Sequence, residues 1–574
     1  MAACLFCTSA SAQIFEINDN LPQDGGDSRS ANWVDLNMDG ILDIYFTNGP
    51  SSGANNFAYL GFGNGFFTPY DEFSPLVLDQ SRSVGATFAQ ANIFEGLDAF
   101  ITTWYGDVNR FYTWTGTDYE EVEVAPPSGQ NTYSETAAFA DANGNGLCDL
   151  YVTNSAGADE SNSFFAASQI GTYIEITEGA FVEDQGASRG VTWIDYDNDG
   201  DADIFVTNED NTPNRLYQNQ GDGSFVSIQD GVIATNAGAT MSGTWGDYNN
   251  DGYMDLFICN AGSNNMLYKN GPDGFEAMTD LIVSNDGGFS FSANWGDIDN
   301  DGDLDLFVSN AFAPNDQALN NFLYINNGDG TFTKNETDIV TQNNGWTYGN
   351  AFGDYDGEGD LDLIAANCYN GNENNVLYQN MTSDGEDTPG FSEIFCIGTV
   401  SNPSAIGTRI TLTATINGQS VTQIREITSQ SSYCGQNMYP VHFGLGDATV
   451  VDELIIDYPN TPPEVFNNLI VPNLFLSIEG DPLTTFDKHE EIKVVVYPNP
   501  ATDYVTIELE KAPGSRMVLE LFDLSGKRVD SFGVQRMNEK KMRIELPELT
   551  VGTYILRGFG AEGGFSRKIQ ILQK

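Results

Sequence analysis

The stretch from Trp193 to Asn208, WIDYDNDGDADIFVTN, constrains this chain more than any other feature. It sets carboxylates at alternate positions, Asp195, Asp197, Asp199 and Asp203, with Gly200 at the sixth place and an apolar run from Ile204 to Val206 straight after. Alternate carboxylates on a tight loop converge on one hard cation. The glycine permits the sharp turn, and the oxygen count suits calcium better than magnesium. Asp201, at the seventh place, offers its backbone carbonyl.

The stretch recurs. Its first-ligand position falls at Asp35, Asp141, Asp195, Asp247, Asp297 and Asp354, with a degenerate copy starting at Gln90, at spacings of 50 to 57 residues. Two places before each start lies an aromatic residue: Trp33, Phe88, Phe139, Trp193, Trp245, Trp295 and Phe352. Thirteen places after it lies Asn48, Asn154, Asn208, Asn260, Asn310 or Asn367, with Thr103 in the degenerate copy. A repeat of this period belongs to a solenoid, an array or a propeller. Within the fourth copy, residues 188–196 read as a strand entering the loop and residues 203–208 as a strand leaving it. Residues 214–219 read as a third strand, and residues 221–229 as a turn and a fourth. These runs are short, β-branched or aromatic, and bounded by Gly, Asn and Asp, and no segment has helical periodicity. The expected fold is therefore all-β: a seven-bladed β-propeller over residues 13–390, with the repeated aromatic packed between neighbouring blades. Two segments are able to close the ring, Ile14 to Ile17 and Gly390 to Ile394.

The loops differ in charge. The fourth has Asp195, Asp197, Asp199 and Asp203, the sixth Asp297, Asp299, Asp301 and Asp305, and the seventh Asp354, Asp356, Glu358 and Asp362. The first has Asn37 beside Asp35, Asp39 and Asp43, and the fifth Asn249 beside Asp247, Asp251 and Asp255. The third has two amides, Asn143 and Asn145, with Asp141 and Asp149. More charge binds tighter at similar rigidity, so the fourth and sixth loops should be tightest and the third weakest. The second copy, from Gln90 to Asp98, lacks acids at the first and fifth places and should stay empty. Six calcium sites are expected, primarily structural, in that each ion relieves carboxylate repulsion and stiffens its hairpin.

The net charge of −59 is unevenly spread: residues 1–487 hold 9 Lys+Arg against 70 Asp+Glu, and residues 488–574 hold 14 against 12. That break marks a domain boundary, and the acidity argues against nucleic acid or anionic membranes as partners. Aromatic content of 12% and apolar content of 40% are too high for a disordered acidic chain. No apolar run is long enough for a membrane-spanning helix. Residues 1–12, MAACLFCTSASA, read as the end of a secretory signal, with cleavage at Ala10-Ser11-Ala12 and a true start upstream of Met1. Cys148 and Cys259 fall inside repeats as small buried residues, and Cys368, Cys396 and Cys434 leave one disulfide possible but unassigned.

An EF-hand or dockerin competes for the acidic loop pattern, but the loops lack Glu at place twelve and are flanked by strands rather than helices. On the aromatic, the loop and the apolar exit strand, the units resemble FG-GAP/VCBS repeats, the calcium-loop blades also found in integrin alpha subunits. Residues 391–480 break the repeat. They carry AIGTRITL from Ala405, SYCGQ from Ser432, HFGLG from His442 and VDELIIDYP from Val451, and resemble the ASPIC/UnbV domain that follows such repeats in proteins similar to cartilage acidic protein. Alternating apolar residues with Gly turns make this segment a small β domain, and His442 reads as a hydrogen-bonded structural histidine. Residues 481–494 read as a polar linker. Residues 495–574 resemble the C-terminal sorting domain of the type IX secretion system, on Tyr497-Pro-Asn-Pro, the turn at Gly526 and Lys527, and the pair Gly552 and Tyr554, with hairpins spaced for a β-sandwich. The resemblance implies the type IX machinery as a partner and a secreted or outer-surface location.

The expected function is a secreted or cell-surface calcium-binding propeller that serves as an adhesion or glycan- or protein-binding module. The alternative is an extracellular polysaccharide lyase or hydrolase on the same scaffold. Two histidines, and no nucleophile, phosphate-loop or zinc motif, give little from which to build catalysis, so no enzyme is expected.

Overall fold

A computed structural model describes residues 13–571 apart from 71–73, 79, 93–95, 123–126, 128–132, 156–159, 170, 236, 384–387, 472, 481–482, 487–493, 498–500, 503, 510–515, 524–527, 537–539, 547–548, 550–551 and 561–562. The leader, most of the expected linker, the Gly526–Lys527 turn and the Pro-Asn-Pro run lie outside the described residues. The chain is all-β and divides into two units, the first holding residues 1–471 and 478–480 and the second holding residues 472–477 and 481–574.

In the first unit each of the first six repeats folds into an antiparallel sheet of four strands in chain order, and the seventh contributes three strands to a four-stranded sheet. In the fourth repeat these are Ser188–Ile194, Asp203–Asn208, Arg215–Asn219 and Phe225–Ile228. The first two strands are buried along nearly their whole length, and the first is built largely of small, β-branched and aromatic residues. The fourth strand is half-exposed and forms the rim. The first strands touch one another in cyclic order, and Thr347–Gly353 of the seventh repeat returns to Ser28–Val34 of the first. The repeated aromatic makes this contact: the Trp33 indole donates to the Ala351 carbonyl at 3.2 Å, and Trp193 donates to Ala138 at 3.1 Å. Below Trp33, Trp295 and Phe352 the preceding sheet places a glycine, Gly353, Gly246 and Gly296, and a Cβ on Gly353 would lie 2.8 Å from Trp33. Of the two candidate closing segments the N-terminal one is used. Phe15–Ile17 pairs antiparallel with Val376–Asn380 as the outer strand of the seventh sheet. Gly390–Ile397 instead pairs with Val441–Gly446 in the second domain.

The innermost strand of each sheet presents an unpaired edge to the axis, and buried edge amides and carbonyls need partners. Residues 428–440 supply them. Gly435 and Gln436 add as a short parallel strand against Ala31 and Asn32. The Gln436 side chain accepts from the Phe88 amide at 2.9 Å and donates to the Phe88 carbonyl at 3.1 Å. The Ser429 hydroxyl exchanges hydrogen bonds with both backbone groups of Phe139, at 2.7 and 2.8 Å. Thr244 donates to the Ser431 carbonyl at 2.9 Å, Ser432 donates to Asn350, and the Asn437 carbonyl oxygen accepts from Phe352. Tyr433, Cys434 and Gln436 are fully buried at the tip. The axis of the ring is thus filled by a loop of the second domain. Arg409–Ile416, Gln419–Glu426, Val450–Asp457 and Glu464–Ile470 form that domain's main sheet.

In the second unit, Val494–Tyr497, Tyr504–Leu509 and Lys541–Glu545 form one sheet. Arg516–Asp523, Arg528–Arg536, Gly552–Gly560 and Gly563–Ile571 form another. Val505, Ile507 and Leu509 of the first sheet share one apolar cluster with Leu519, Leu521, Leu556 and Ile569 of the second. Thr484–Phe486, inside the expected linker, forms a strand paired with residues 474–476. Among the described residues no helix is long and apolar enough to cross a membrane.

Candidate metal loops

Each acidic loop joins the first and second strands of a sheet, so all the loops lie at one end of the ring. The first-place carboxylate folds the loop. In the fourth copy Asp195 accepts from the amides of Asp199 and Gly200 at 3.0 and 3.1 Å. Asp35, Asp141 and Asp247 accept the same pair of amides in their own loops. The sixth-place glycine takes the left-handed conformation that its role as a turn requires, with φ of 92° at Gly200 and 100° at Gly302.

The ninth-place carboxylate is a staple as well as a candidate ligand. Asp305 accepts from the Ile298 amide at 3.0 Å and from the Asn326 amide at 2.7 Å, joining the loop to the third strand. Asp43, Asp203 and Asp362 bridge the same two places, as does Asp149 through Ala142 and Ala167, and Asp255 accepts from Asn270. Asp98 of the degenerate copy does likewise, through Ala91 and Trp114, which accounts for its survival in a loop that has lost the acids at places one and five. Two carboxylate oxygens carry about four lone pairs, so stapling leaves room for a cation.

Three loops bring three carboxylates within 4.8 Å of one another and can hold a metal ion: Asp195, Asp197 and Asp199; Asp297, Asp299 and Asp301; and Asp354, Asp356 and Asp362. Glu358 stays outside the third of these groups, and Asp203 and Asp305 stay outside the first two. The first, third and fifth loops, each carrying an amide, form no such triad among the described residues. There Asn143 and Asn249 turn their side-chain N–H toward Asp149 and Asp255, at 3.1 and 2.9 Å, and Asn37 donates to Asp39. Asn145 donates to the Ala167 carbonyl, and Lys269 pairs with Asp251 at 3.0 Å.

The donor set of the two fullest loops fits a divalent cation. Asp197 Oδ1, Asp297 Oδ1 and Asp299 Oδ1 are buried carboxylate oxygens without a hydrogen-bond donor. An anionic oxygen left in that state costs far more than a neutral one, and a cation is the partner that removes the cost. Burial and, behind it, the clustered neighbouring acids push Asp203 and Asp255 up to about 9, and burial and Asp299 push Asp301 up to about 6. Such a field favours a bound metal, which would convert the repulsion into coordination.

Two contacts around the loops have no counterpart in the spacing argument. The fourth-place asparagines Asn198, Asn250 and Asn300 adopt positive φ, and each donates to the sixth-place glycine carbonyl of the next loop: Gly252 at 3.2 Å, Gly302 at 3.1 Å and Gly359 at 2.8 Å. The recurrence of Asn at that place was the available signal. The second domain also docks on the loops. The Gly444 amide donates to Asp297, Asn460 donates to Asp141, and His442 bonds Asn300 at 2.7 Å while stacking on Phe391. Arg409 lies 3.5 Å from Asp195 Oδ2 and also pairs with Glu426.

Residues 141–206, 195–258, 247–308 and 311–365 match the family model of the FG-GAP-like repeat. Residues 398–481 match ASPIC and UnbV, and residues 495–572 match the secretion system C-terminal sorting domain, which indicates secretion or display on the outer cell surface. No curated protein matches the chain. Among solved structures it is similar to a fucose-specific lectin from Aleuria aurantia at 14% identity, covering 55% of this chain and 96% of that one with a TM-score of 0.33. It is similar to an alpha-L-arabinanase of Penicillium chrysogenum at 12%, covering 64% and 97% with a TM-score of 0.31. It is also similar to the V. cholerae biofilm matrix protein Bap1 at 11%, covering 98% and 85% with a TM-score of 0.29.

Proposed function

We propose that this chain of FG-GAP-like repeats, ASPIC and UnbV segment and sorting domain is a calcium-stabilised, seven-bladed β-propeller, exported by the type IX machinery, that binds an extracellular glycan or protein as an adhesion module. The seven repeat sheets are its blades, and the two sheets of the second unit form a β-sandwich that serves export. Calcium occupies up to six loops, held by the first-, third-, fifth- and ninth-place side chains. It binds most tightly where three or more acids converge and is absent from the second loop. The protein is a binder rather than a catalyst.

The observation that carries this reading is the set of unpartnered buried carboxylate oxygens at Asp197, Asp297 and Asp299, in loops whose backbone is already folded around the first-place acid. Calorimetric titration of metal-free protein tests it. Binding of several calcium ions with a rise in melting temperature is expected, and magnesium should substitute poorly. Unchanged melting after exhaustive removal of calcium would defeat the metal assignment. A glycan array probed with and without calcium tests the binding role.

A further inference from the structure

Each first strand ends at a metal loop, so the start of the first strand and the end of the second strand lie at the opposite mouth of the ring. The metal-loop end is where Arg409, His442, Gly444 and Asn460 of the second domain dock, and residues 428–440 fill the axis up to Tyr433. The opposite mouth is built differently from the rest of the surface. Arg29, Arg82 and Arg189 stand there, three of the 9 Lys+Arg in residues 1–487. Each is paired: Arg29 with Asp27 at 2.8 Å, Arg82 with Asp107 at 3.2 Å, and Arg189 with Glu209 at 2.7 Å and with Glu135.

Aromatic rings alternate with these pairs. Phe312 packs on Trp346 with ring centroids 4.9 Å apart, and Trp346 on Tyr369 at 5.1 Å. Trp104 packs on Tyr105 at 5.0 Å. The Arg29 guanidinium lies 4.8 Å over Phe312, and that of Arg82 lies 5.7 Å over Tyr105. Tyr105 and Phe312 are 46% and 36% exposed.

Both exposed rings sit on a left-handed backbone, with φ of 59° at Tyr105 and 53° at Phe312. The two hold the same place in their repeats, two residues past Thr103 and Asn310. The fourth and fifth repeats put Asp210 and Gly262 there, also at positive φ. A bulky ring in that conformation is a steric outlier that a glycine or aspartate would avoid, and such outliers persist where function holds them. The turn therefore accepts small residues, and two repeats carry an exposed aromatic against the local preference.

We propose that this mouth binds the pyranose rings of a neutral polysaccharide. The inference deepens the glycan-binding reading given above and rests on it. A sugar presents an apolar C–H face and an edge of hydroxyls that both donate and accept. Ring faces at Tyr105 and Phe312 suit the first, and guanidinium–carboxylate pairs, which offer donors and acceptors side by side, suit the second. An anionic polymer is disfavoured, because every arginine at the mouth already has a carboxylate and the surrounding body is strongly acidic. A protein partner would bury the same rings in a desolvated interface, and the sugar-binding measurements separate the two.

The test uses the full chain with calcium and calorimetry against neutral hexasaccharides (cellohexaose, laminarihexaose and mannohexaose) and an anionic hexauronate. The parent protein should bind at least one neutral hexasaccharide. Tyr105→Gly and Phe312→Gly, which relieve the backbone and so should keep or raise the melting temperature, should each weaken that binding by about tenfold. Variants that bind as tightly as the parent would overturn the assignment of this face while leaving the glycan reading intact. A parent that binds no hexasaccharide would overturn both. Binding confined to the hexauronate would overturn the neutral class, and capture of a surface protein through these rings without any sugar binding would overturn the proposal in favour of a protein partner.

Discussion

The Gly444 amide donates to Asp297 Oδ2 at 3.0 Å, and the same oxygen accepts from Gly302 at 3.0 Å inside the sixth loop. One carboxylate oxygen therefore closes a metal loop and holds the second domain. The joint is close-packed: a Cβ on Gly444 would fall 2.2 Å from that oxygen and 2.5 Å from Asn300 Cα. Gly444→Ala should separate the second domain from the loop while leaving the repeats folded. The expected result is faster amide exchange over residues 297–302 and 441–446 together, and a loss of stability of about 1–3 kcal/mol by chemical denaturation. Exchange that rises on one side only would show that the two elements are not coupled.

Arg409 separates two loops that carry the same acids. Its guanidinium stands 3.5 Å from Asp195 Oδ2 and donates to the Asp195 carbonyl at 2.7 Å, whereas Asp297 of the sixth loop accepts from the Gly444 amide and feels the more remote Arg425 guanidinium without a direct ion pair among the described residues. A fixed cation beside a ligand carboxylate opposes a divalent ion. The fourth loop is thus expected to bind calcium more weakly than the sixth, despite equal side-chain charge. Arg409→Gln should tighten the fourth site by about fivefold, on the order of 1 kcal/mol for a partly screened pair. Site-resolved titration with terbium luminescence measures this, and an unchanged fourth site would show that the guanidinium does not compete.

How much of this could be read from the chain depends on how local the determinant is. The loops, the strands that flank them and the aromatic between sheets were legible, because each is fixed by residues within one repeat. Asp98 was also readable in principle: a copy that loses the acids at places one and five yet keeps the ninth advertises a structural duty for that position. The axial loop was not. Residues 429–436, SQSSYCGQ, look like an ordinary turn of a small β domain, and their partners, Ala31, Phe88 and Phe139, lie 290 to 404 residues earlier. Only the unpaired inner edges of the sheets, a property of the assembled ring, call for them. The docking of the second domain on the acids is hidden for the same reason.

Removing calcium should invert the usual acid sensitivity of a carboxylate-rich protein. Asp203 and Asp255 are pushed to about 9 by burial and neighbouring acids, against about 4 for an unfolded aspartate. An acid whose pKa is higher in the folded state binds more protons there. Its contribution is complete below the unfolded value and is lost as pH rises through the folded one. The melting temperature of metal-free protein should therefore fall as pH rises from about 5 to about 9. Saturating calcium, which binds the ionised form, should flatten the slope and raise the melting temperature most at the alkaline end. Scanning calorimetry across that range checks both parts, and a metal-free protein that gains stability with pH would contradict the burial argument.

The asparagine ladder makes the loops a connected series. Asn250 donates to the Gly302 carbonyl at 3.1 Å and to Asp303 at 2.8 Å, so the backbone that turns the sixth loop is held from the fifth. Its own left-handed backbone, with φ of 55°, is one that asparagine tolerates and most residues do not. Ordering the fifth loop around an ion should therefore pre-order the sixth, which lowers the entropy the second ion must remove. Adjacent calcium sites are expected to bind with positive cooperativity. Asn250→Gly keeps the backbone conformation but deletes the amide bridge, so it should abolish the coupling between the fifth and sixth sites while leaving each site's intrinsic affinity near its parent value. A binding isotherm of equal steepness in the two proteins would mean that the bridge is structural only.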